Sequence, residues 1–279
     1  MYLLKKTIYY TIIYSLFISI NLCQAREKSV KDLWEKLETG LDYTSILIDK
    51  ESNTKVRIIR INPKFFQFKL LCISEEKGTP KSLRQWVKEY NLIAAINASM
   101  YLTDGKTSTG YMRNARHINN GRIGKNFGAF FLAEPIKSHL PFAQIIEKPQ
   151  VNLNKALGNY QIIIQNYRFI NEKKEILWKI SQEKHAIAAI AEDKNKSILF
   201  LHCQNPITAY NFAKKILELP LNIHKLMYVE GGIEASMALN INNNLTTWAG
   251  NHPSGLFGAS IITHLPNVLG IIRKTNVSH

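Results

Sequence analysis

The feature that most constrains the fold is a long succession of short segments rich in β-branched and aromatic residues, separated by turn-forming residues. The first three are Tyr43–Ile48, Lys55–Ile61 and Phe65–Ile73, divided by a polar turn at residues 49–53 and by Asn62-Pro63. Alternation of this kind, with polar turns between the segments, is typical of half-buried strands. These segments therefore predict an antiparallel meander.

Further strand-like segments follow along the chain, and helical patterns are few. The spacing of apolar residues predicts helices at Val30–Leu37, from Thr79-Pro80 to Tyr90 with Thr79 as the cap, and at Pro206–Leu219. Strands outnumber these helices, which indicates an α+β fold with a mixed, largely antiparallel sheet core and a few short helices. The other predicted strands are Leu92–Ile96, Phe127–Ala133, Gln161–Gln165, His185–Ala191, Ser197–Cys203 and Met227–Val229.

The first 25 residues have the profile of a secretory signal peptide. Lys5 and Lys6 precede an almost wholly apolar run from Thr7 to Leu22, and the small residue Ala25 closes the stretch. We expect cleavage near Ala25, export to the periplasm or the medium, and one catalytic domain over residues 26–279. An uncleaved membrane anchor is the alternative, because the apolar run is close to the shortest length that spans a bilayer.

The chain is strongly basic, with a formal net charge of +15 that becomes +13 when Lys5 and Lys6 leave with the signal peptide. A basic surface attracts polyanions. The sequence contains no helix-turn-helix, zinc-finger or ribonucleoprotein-type aromatic motif, so we expect no nucleic acid partner and favour an anionic envelope polymer or phosphorylated glycan. General solvation of the surface explains the charge equally well.

Cys72 and Cys203 are the cysteines that remain after cleavage. They could pair in an oxidising compartment, or they could be two buried free thiols, because both lie in apolar runs. Neither has a second Cys or a His at a usual ligand spacing, since His202 is directly adjacent to Cys203, so a structural zinc site is not expected, and the sequence shows no metal or cofactor motif. The oligomeric state is left open by the sequence.

The stretch Glu230-Gly231-Gly232 closes a short buried strand. Two glycines allow a sharp turn and let another molecule approach the main chain closely. Glu234 and Ser236 follow, so two carboxylates and a hydroxyl flank the turn. This arrangement predicts a ligand site, and the alternative is an ordinary turn in which the glycines serve only the backbone.

A second strand ends at Asn97 and is followed, after a turn, by Thr109-Gly110. An amide at the mouth of a sheet can hold a sugar hydroxyl or a phosphate oxygen, although a satisfied turn residue is the alternative. The working hypothesis is that the turns after Asn97 and around Glu230 form two walls of one pocket for a charged saccharide.

These segments together resemble the phosphodiester glycosidase family. Asn97-Ala98-Ser99-Met100-Tyr101 and Thr109-Gly110 are similar to the family's Asn-Ala-Gly-Met-Tyr motif and to the Gly-containing segment after it. Residues 230–237 are similar to its Asp-Gly-Gly-Pro-Glu-Ala-Ser-Leu motif. The likeness extends from about Tyr43 to Lys274. Glu230 stands where the family has Asp, and Ser99 stands where it has Gly.

The resemblance implies roles for particular residues. Glu230 is expected to stabilise an oxocarbenium-like centre or to activate water, with Glu234 as its partner and with Asn97 and His185 completing the catalytic set. His185 could instead be a structural histidine. Substrate contacts are expected from Arg168, Gln165, Thr109, Gly110, Gly231, Gly232 and Ser236. Arg113 is a further candidate, although it could instead belong to a solvated loop.

The resemblance also implies an activity, that of an exported glycosidase that hydrolyses a sugar–phosphodiester bond in a glycan or glycolipid. Because a phosphate diester leaves as a stable anion, cationic and amide donors should carry more of the catalysis than a strong general acid. The competing hypothesis is a non-catalytic envelope protein that binds anionic glycans through the same pocket.

Overall fold

The computed structural model of the protein describes residues 33–148, 153–251 and 264–275. The chain divides into two compact units, residues 1–36 and 37–279. The predicted signal peptide lies outside the described residues, and of the first unit only residues 33–36 are described. No helix in the described ranges combines the length and the apolar character needed to cross a bilayer.

Strands dominate the described residues, as the sequence predicts. The strands are β1 (Glu35–Glu38), β2 (Leu41–Asp49), β3 (Thr54–Ile61), β4 (Phe66–Cys72), β5 (Lys81–Ser82), β6 (Ala94–Asn97), β7 (Met112–Arg113), β8 (Ile118–Asn120), β9 (Ala129–Pro135), β10 (Ala143–Glu147), β11 (Tyr160–Ile170), β12 (Lys184–Asp193), β13 (Ile198–Thr208), β14 (Ile223–Gly231), β15 (Ser236–Ile241), β16 (Asn244–Ala249), β17 (His264–Leu265) and β18 (Asn267–Arg273). The helices are α1 (Ile73–Glu76), α2 (Leu83–Glu89), α3 (Leu153–Leu157) and α4 (Ala209–Glu218), with a 3₁₀ turn at Gly232–Glu234.

These strands form two large sheets and one small pair. In the first sheet β2, β3, β13, β12, β14, β11, β7 and β8 lie side by side in this order, and β9 and β10 join through β11. The second sheet has the order β16-β15-β6-β18-β4, and β17 pairs with β5. The described registers are antiparallel, which confirms the α+β class and its largely antiparallel core.

The two sheets pack face to face around one apolar core. Ile59, Ala188 and Met227 of the first sheet share a buried cluster with Phe68 and Ile96 of the second. Helix α4 covers the outer face of the first sheet through β12 and β13, and α2 covers the outer face of the second. The layers are therefore helix, sheet, sheet and helix, with most apolar side chains removed from water.

Local hydrogen bonds explain where the two longer helices begin. Ser82 and Gln85 form a capping box at the start of α2, so the predicted cap at Thr79 is wrong. The hydroxyl of Thr208 accepts the backbone N–H of Asn211 at the start of α4. Pro206 belongs to β13 rather than to this helix.

Two other sequence predictions need correction. In the described part of Val30–Leu37 the chain is extended and forms β1, so the predicted helix is wrong there. Strands β2 and β3 form the expected hairpin, but β4 pairs with β18 in the second sheet and does not continue a meander. The cysteines are free and buried, and burial raises the pKa of both thiols.

Candidate active site

Two chain crossings between the sheets bring the predicted site segments together. Asn97 is the last residue of β6, and residues 98–111 carry the chain from the second sheet to the first. Glu230 is the last residue but one of β14, and residues 232–235, here called the connecting turn, carry the chain from the first sheet to the second. Both predicted turns therefore lie where the chain leaves a strand of one sheet and passes to the other sheet.

Asn97 joins the two crossings directly. Its Nδ2 donates to the carbonyl of Glu234 at 3.0 Å, and its Oδ1 accepts the backbone N–H of Ser236 at 2.6 Å. The hydroxyl of Ser236 donates to the same Glu234 carbonyl at 2.8 Å. Asn97 is 1% exposed. Its amide therefore holds the connecting turn and is largely used by it, rather than being presented to a ligand.

A β-bulge sets the direction of Glu230. Tyr228 pairs with Ala189, whereas Glu230 pairs with Ala188, so β14 has one extra residue, Val229, at this point. Without the extra residue Glu230 would share a face with Tyr228, two positions earlier. Because cross-strand partners share a face and Ala188 belongs to the core, the bulge turns Glu230 toward the space between the sheets.

Glu230 is 7% exposed, and its Oε1 accepts the backbone N–H of Gly231 at 2.9 Å. Burial raises the pKa of Glu230, the hydrogen bond from Gly231 opposes the shift, the charge of Glu234 adds a smaller increase, and the resulting pKa is about 8. The Glu234 side chain is partly exposed. The site therefore combines a buried carboxyl that is mostly protonated at neutral pH with a second carboxyl that solvent reaches.

The two glycines are required for different reasons. Gly232 has a φ of +73°, in the left-handed region that other residues rarely adopt. Gly231 has an extended backbone, but a Cβ there would lie 2.0 Å from the Tyr228 hydroxyl and 2.9 Å from Cδ2 of His185. A turn at this point consequently needs Gly232 for its conformation and Gly231 for space.

His202 and Tyr101 also belong to the site, although the sequence did not single them out. His202 is fully buried, and its Nε2 lies 2.9 Å from the carbonyl of Ala235, so Nε2 is the protonated nitrogen and holds the connecting turn. Burial lowers the pKa of His202 to about 4. The pKa of Tyr101 is raised by burial and then by the charges of Glu234 and Glu230, which places its phenol within electrostatic reach of both carboxyls.

Serine hydroxyl groups form hydrogen bonds within residues 98–111, the crossing after Asn97. The Ser99 and Ser108 hydroxyls are 2.7 Å apart, and Ser99 also donates to the Met100 carbonyl. Ser99 does not have a positive φ, so the position where the family has Gly requires no special backbone conformation here. Thr109 donates its backbone N–H to Met100, and Gly110 is buried with its N–H directed to the Ser108 hydroxyl.

Strand β11 carries two adjacent polar residues into the interior. Asn166 donates its Nδ2 to the Ala98 carbonyl at 2.9 Å, directly beside Asn97, and its buried Oδ1 has no described partner. Gln165 accepts the N–H groups of Tyr111 and Gly124 and donates to the carbonyls of Gly124 and Phe127. The structure thus brings Asn166 to the site and commits Gln165 to the loop before β9.

His185 lies on the other side of Gly231 from the core. Its ring approaches Tyr228 edge-on, with 6.2 Å between ring centroids, and its Nε2 is buried without a described partner. Burial lowers the pKa of His185. The imidazole is therefore neutral at pH 7 and does not supply a positive charge to the site.

The two arginines predicted to contact the substrate have no described contact with Glu230 or Glu234. Arg113 donates from Nη2 to the carbonyls of Leu157 and Tyr160, at the end of α3 and the start of β11. Arg168 lies against Gly128 and donates to the Lys148 carbonyl at 3.4 Å. Arg113 is thus committed to local structure, whereas Arg168 lines a cavity of its own.

A sequence pattern could have found the residues that were missed. His202 and Asn166 are polar residues inside long apolar strands, where an unpaired polar group is costly and a specific partner is expected. Tyr101 lies within the motif that contains Asn97 but was not selected. In the described ranges no group of three His, Cys, Asp or Glu side chains is arranged to hold a metal ion.

Comparisons with known proteins identify a family and similar folds. The phosphodiester glycosidase family model matches residues 90–272. The fold is similar to a hypothetical protein from Synechocystis, with 11% identity, a TM-score of 0.60, and coverage of 86% of this chain and 63% of that protein's length. It is also similar to the auto-inhibited catalytic domain of zebrafish N-acetylglucosamine-1-phosphodiester alpha-N-acetylglucosaminidase, with 13% identity, a TM-score of 0.57, and coverage of 83% and 81%. No curated protein sequence matches the chain significantly.

Proposed function

Because this chain belongs to the phosphodiester glycosidase family, whose members are hydrolases acting on glycosyl bonds, we propose that it hydrolyses a sugar–phosphodiester bond in a glycan or glycolipid. One observation carries the proposal: Glu230 and Glu234 lie at the two ends of a short turn that Asn97 and His202 hold in place. A pair of carboxyls in different environments is what glycosyl hydrolysis requires.

The environments of the two carboxyls assign their roles. Buried and mostly protonated at neutral pH, Glu230 is the proton donor to the departing phosphate oxygen. The partly exposed Glu234 is the carboxylate that activates water or stabilises positive charge at the anomeric carbon. This assignment reverses two expectations from the sequence, namely that Glu230 acts as the base or as the charge stabiliser and that a general acid contributes less than cationic and amide donors.

The polar residues around them act by position. Asn97, His202 and Ser236 use their polar atoms on the connecting turn, so they fix Glu234 and its carbonyl without touching the substrate. Gln165 and Arg113 stabilise the neighbouring loop and strand in the same way. Their contribution to the reaction is geometric, since a shift of about 1 Å in a reacting group is enough to lose much of the rate.

Export is the second part of the proposal. It is supported by Lys5 and Lys6, the apolar run that follows them and the small residue Ala25. A phosphorylated glycan or glycolipid in the envelope would then be the substrate. Mass spectrometry of the mature protein tests for cleavage of the signal peptide. A chain that begins at Arg26 agrees with export, and a retained Met1 contradicts cleavage.

The activity is tested by the release of sugar from a synthetic sugar phosphodiester. We expect turnover by the mature protein and a loss of about 1,000-fold in kcat for Glu230→Gln, because a lost proton donor costs orders of magnitude. Glu51→Gln, which changes an exposed carboxylate in the turn between β2 and β3, is the matched control. Binding of the diester without turnover by the parent protein would instead establish the non-catalytic, glycan-binding alternative.

A further inference from the structure

We propose that a cavity beside β11 is a phosphate-binding subsite that takes an organic phosphate group of the substrate. The proposal rests on the proposed function, which it extends by saying where the anionic part of the substrate is held. The cavity has a volume of about 330 Å³, within the usual range of ligand sites. Its walls include Lys125, Gly128, Lys148, Tyr167, Arg168 and Trp178, and we call it the basic cavity.

Three cationic side chains line the basic cavity. Lys125 is exposed, Lys148 and Arg168 are partly exposed, and none of the three forms an ion pair with a carboxylate in the described ranges. The buried carboxyl of Glu147 is near enough to Arg168 for their charges to interact, but it interacts with Lys225 as well, so it offsets only part of the positive charge at the cavity. Like charges that share a cavity repel one another, and a bound anion removes that cost.

Arg168 is held so that its guanidinium stays available. Gly128 makes room for the side chain, since a Cβ at that position would lie 2.7 Å from Nε of Arg168. One described hydrogen bond, to the Lys148 carbonyl, uses only one of the five guanidinium N–H groups. A planar donor group with free N–H bonds next to two ammonium groups suits a phosphate, which accepts several charge-assisted hydrogen bonds.

Aromatic rings connect the basic cavity to Gly231. The Trp178 and Tyr228 ring centroids are 4.8 Å apart, and Tyr167 pairs with Tyr228 across the strands. The Tyr228 hydroxyl lies beside Gly231, the residue after Glu230. Tyr228 therefore links the cavity wall to Gly231, whereas the carboxyl of Glu230 turns to the other face of β14. The phosphate that the cavity holds is either the scissile one or the next along an anionic polymer, and its chemistry is the same in both cases.

The test measures binding in the Glu230→Gln protein, where turnover does not interfere. The double variant Lys125→Gln, Lys148→Gln is compared with Lys194→Gln, Lys214→Gln, which removes the same charge from exposed positions elsewhere. The probes are glucose 1-phosphate, glucose and a short glycerol phosphate oligomer, titrated by calorimetry at low and high salt. We expect the first double variant to weaken phosphate binding at least tenfold and the second less than twofold, with glucose binding much more weakly than its phosphate.

Each outcome has a definite meaning. A loss with both phosphate probes supports a subsite for the scissile phosphate, and a loss with the oligomer alone supports a subsite for a further phosphate. Equal affinity in the two double variants, or equal binding of glucose and glucose 1-phosphate, overturns the proposal. A protein that hydrolyses the diester but shows equal affinities keeps the proposed function and loses the subsite, whereas parent-like turnover in Glu230→Gln removes the proposed role of that residue and leaves the binding result standing.

Discussion

The connecting turn with its two carboxyls and the basic cavity are built in opposite ways. Around the turn, the polar atoms of Asn97, Ser236 and His202 are used on the backbone, and Glu230 is almost fully buried. In the basic cavity, the lysines and Arg168 reach solvent and form no ion pair in the described ranges. A rigid buried group suits chemistry, where geometry and pKa decide the rate, and an exposed cationic group suits the capture of an anion.

The largest expected effect is a loss of kcat on substitution of Glu230, the buried carboxyl next to the connecting turn. Glu230→Gln should lower kcat about 1,000-fold, whereas Glu230→Asp, which places there the residue found in the family, should lower it less, by at most about 100-fold, because it keeps a carboxyl but withdraws it by one methylene. Steady-state kinetics on one sugar phosphodiester measure both. Equal activities of the Asp and Gln variants would show that the carboxyl has no chemical role.

The next effect concerns the hydrogen bonds by which Asn97 holds the connecting turn. Asn97→Ala removes the hydrogen bonds to Glu234 and Ser236 and leaves the buried N–H of Ser236 unpaired, at a cost of about 2 kcal/mol in the free energy of unfolding. We expect kcat to fall about 100-fold, because the turn that carries Glu234 loosens. Asn240→Ala, which removes an amide bound to the Leu92 carbonyl, is the control. A large stability loss with parent-like kcat would confine Asn97 to folding.

The pH dependence of activity reports on Glu230 itself. With a pKa raised to about 8, the protonated donor disappears above that pH, so kcat/KM should fall about tenfold per pH unit on the alkaline side. A pH–rate profile of the parent protein measures this limb. A profile that falls near pH 5 would contradict the assignment, because it would mean that Glu230 ionises as an ordinary carboxyl.

Stability should show the same pKa with a defined sign. Between pH 4.5 and about pH 8, the folded protein keeps a proton on Glu230 that the unfolded chain releases. The free energy of unfolding therefore falls as pH rises through this range. Relative to Glu230→Gln, the parent should lose about 3 kcal/mol from pH 5 to pH 8. Urea unfolding at several pH values gives the difference. An unchanged difference across this range would place Glu230 in contact with water.

The smallest expected effect is the difference in the free energy of unfolding between alanine variants at the two glycines. Gly231→Ala forces a Cβ against the Tyr228 hydroxyl and should destabilise the fold by about 3 kcal/mol. A Cβ at Gly232 would make only an ordinary contact, 3.4 Å from Oε2 of Glu234, so Gly232→Ala meets mainly the positive φ and should cost only about 1 kcal/mol. Denaturant unfolding of both variants ranks them. The reverse order would mean that conformation, not space, limits this turn.

Much of the fold was predictable because strand periodicity is local. The alternation in residues 54–61 and the apolar runs on either side of the turn at residues 193–197 locate β3, β12 and β13. The sheet to which β4 belongs was not predictable, because its partner β18 lies about 200 residues further along the chain. The cap of α2 was misplaced because Ser82 and Gln85 form a better cap than Thr79.

The site was predictable in its members more than in their roles. Glu230, Glu234, Asn97 and Ser236 were chosen from two motifs, and the structure places them together. Their roles depend on facts that no local pattern shows. The direction of Glu230 depends on one extra residue in β14, and the use of the Asn97 amide depends on a turn 137 residues away.

The most direct test of the central claim is to carry out the hydrolysis of a sugar phosphodiester in ¹⁸O-labelled water and to examine the released phosphate by ³¹P NMR. A glycosidase breaks the bond between the anomeric carbon and oxygen, so the account predicts that the phosphate product carries no ¹⁸O. Label in the phosphate would show that water attacks phosphorus, and it would contradict a reaction in which Glu230 and Glu234 act on the sugar.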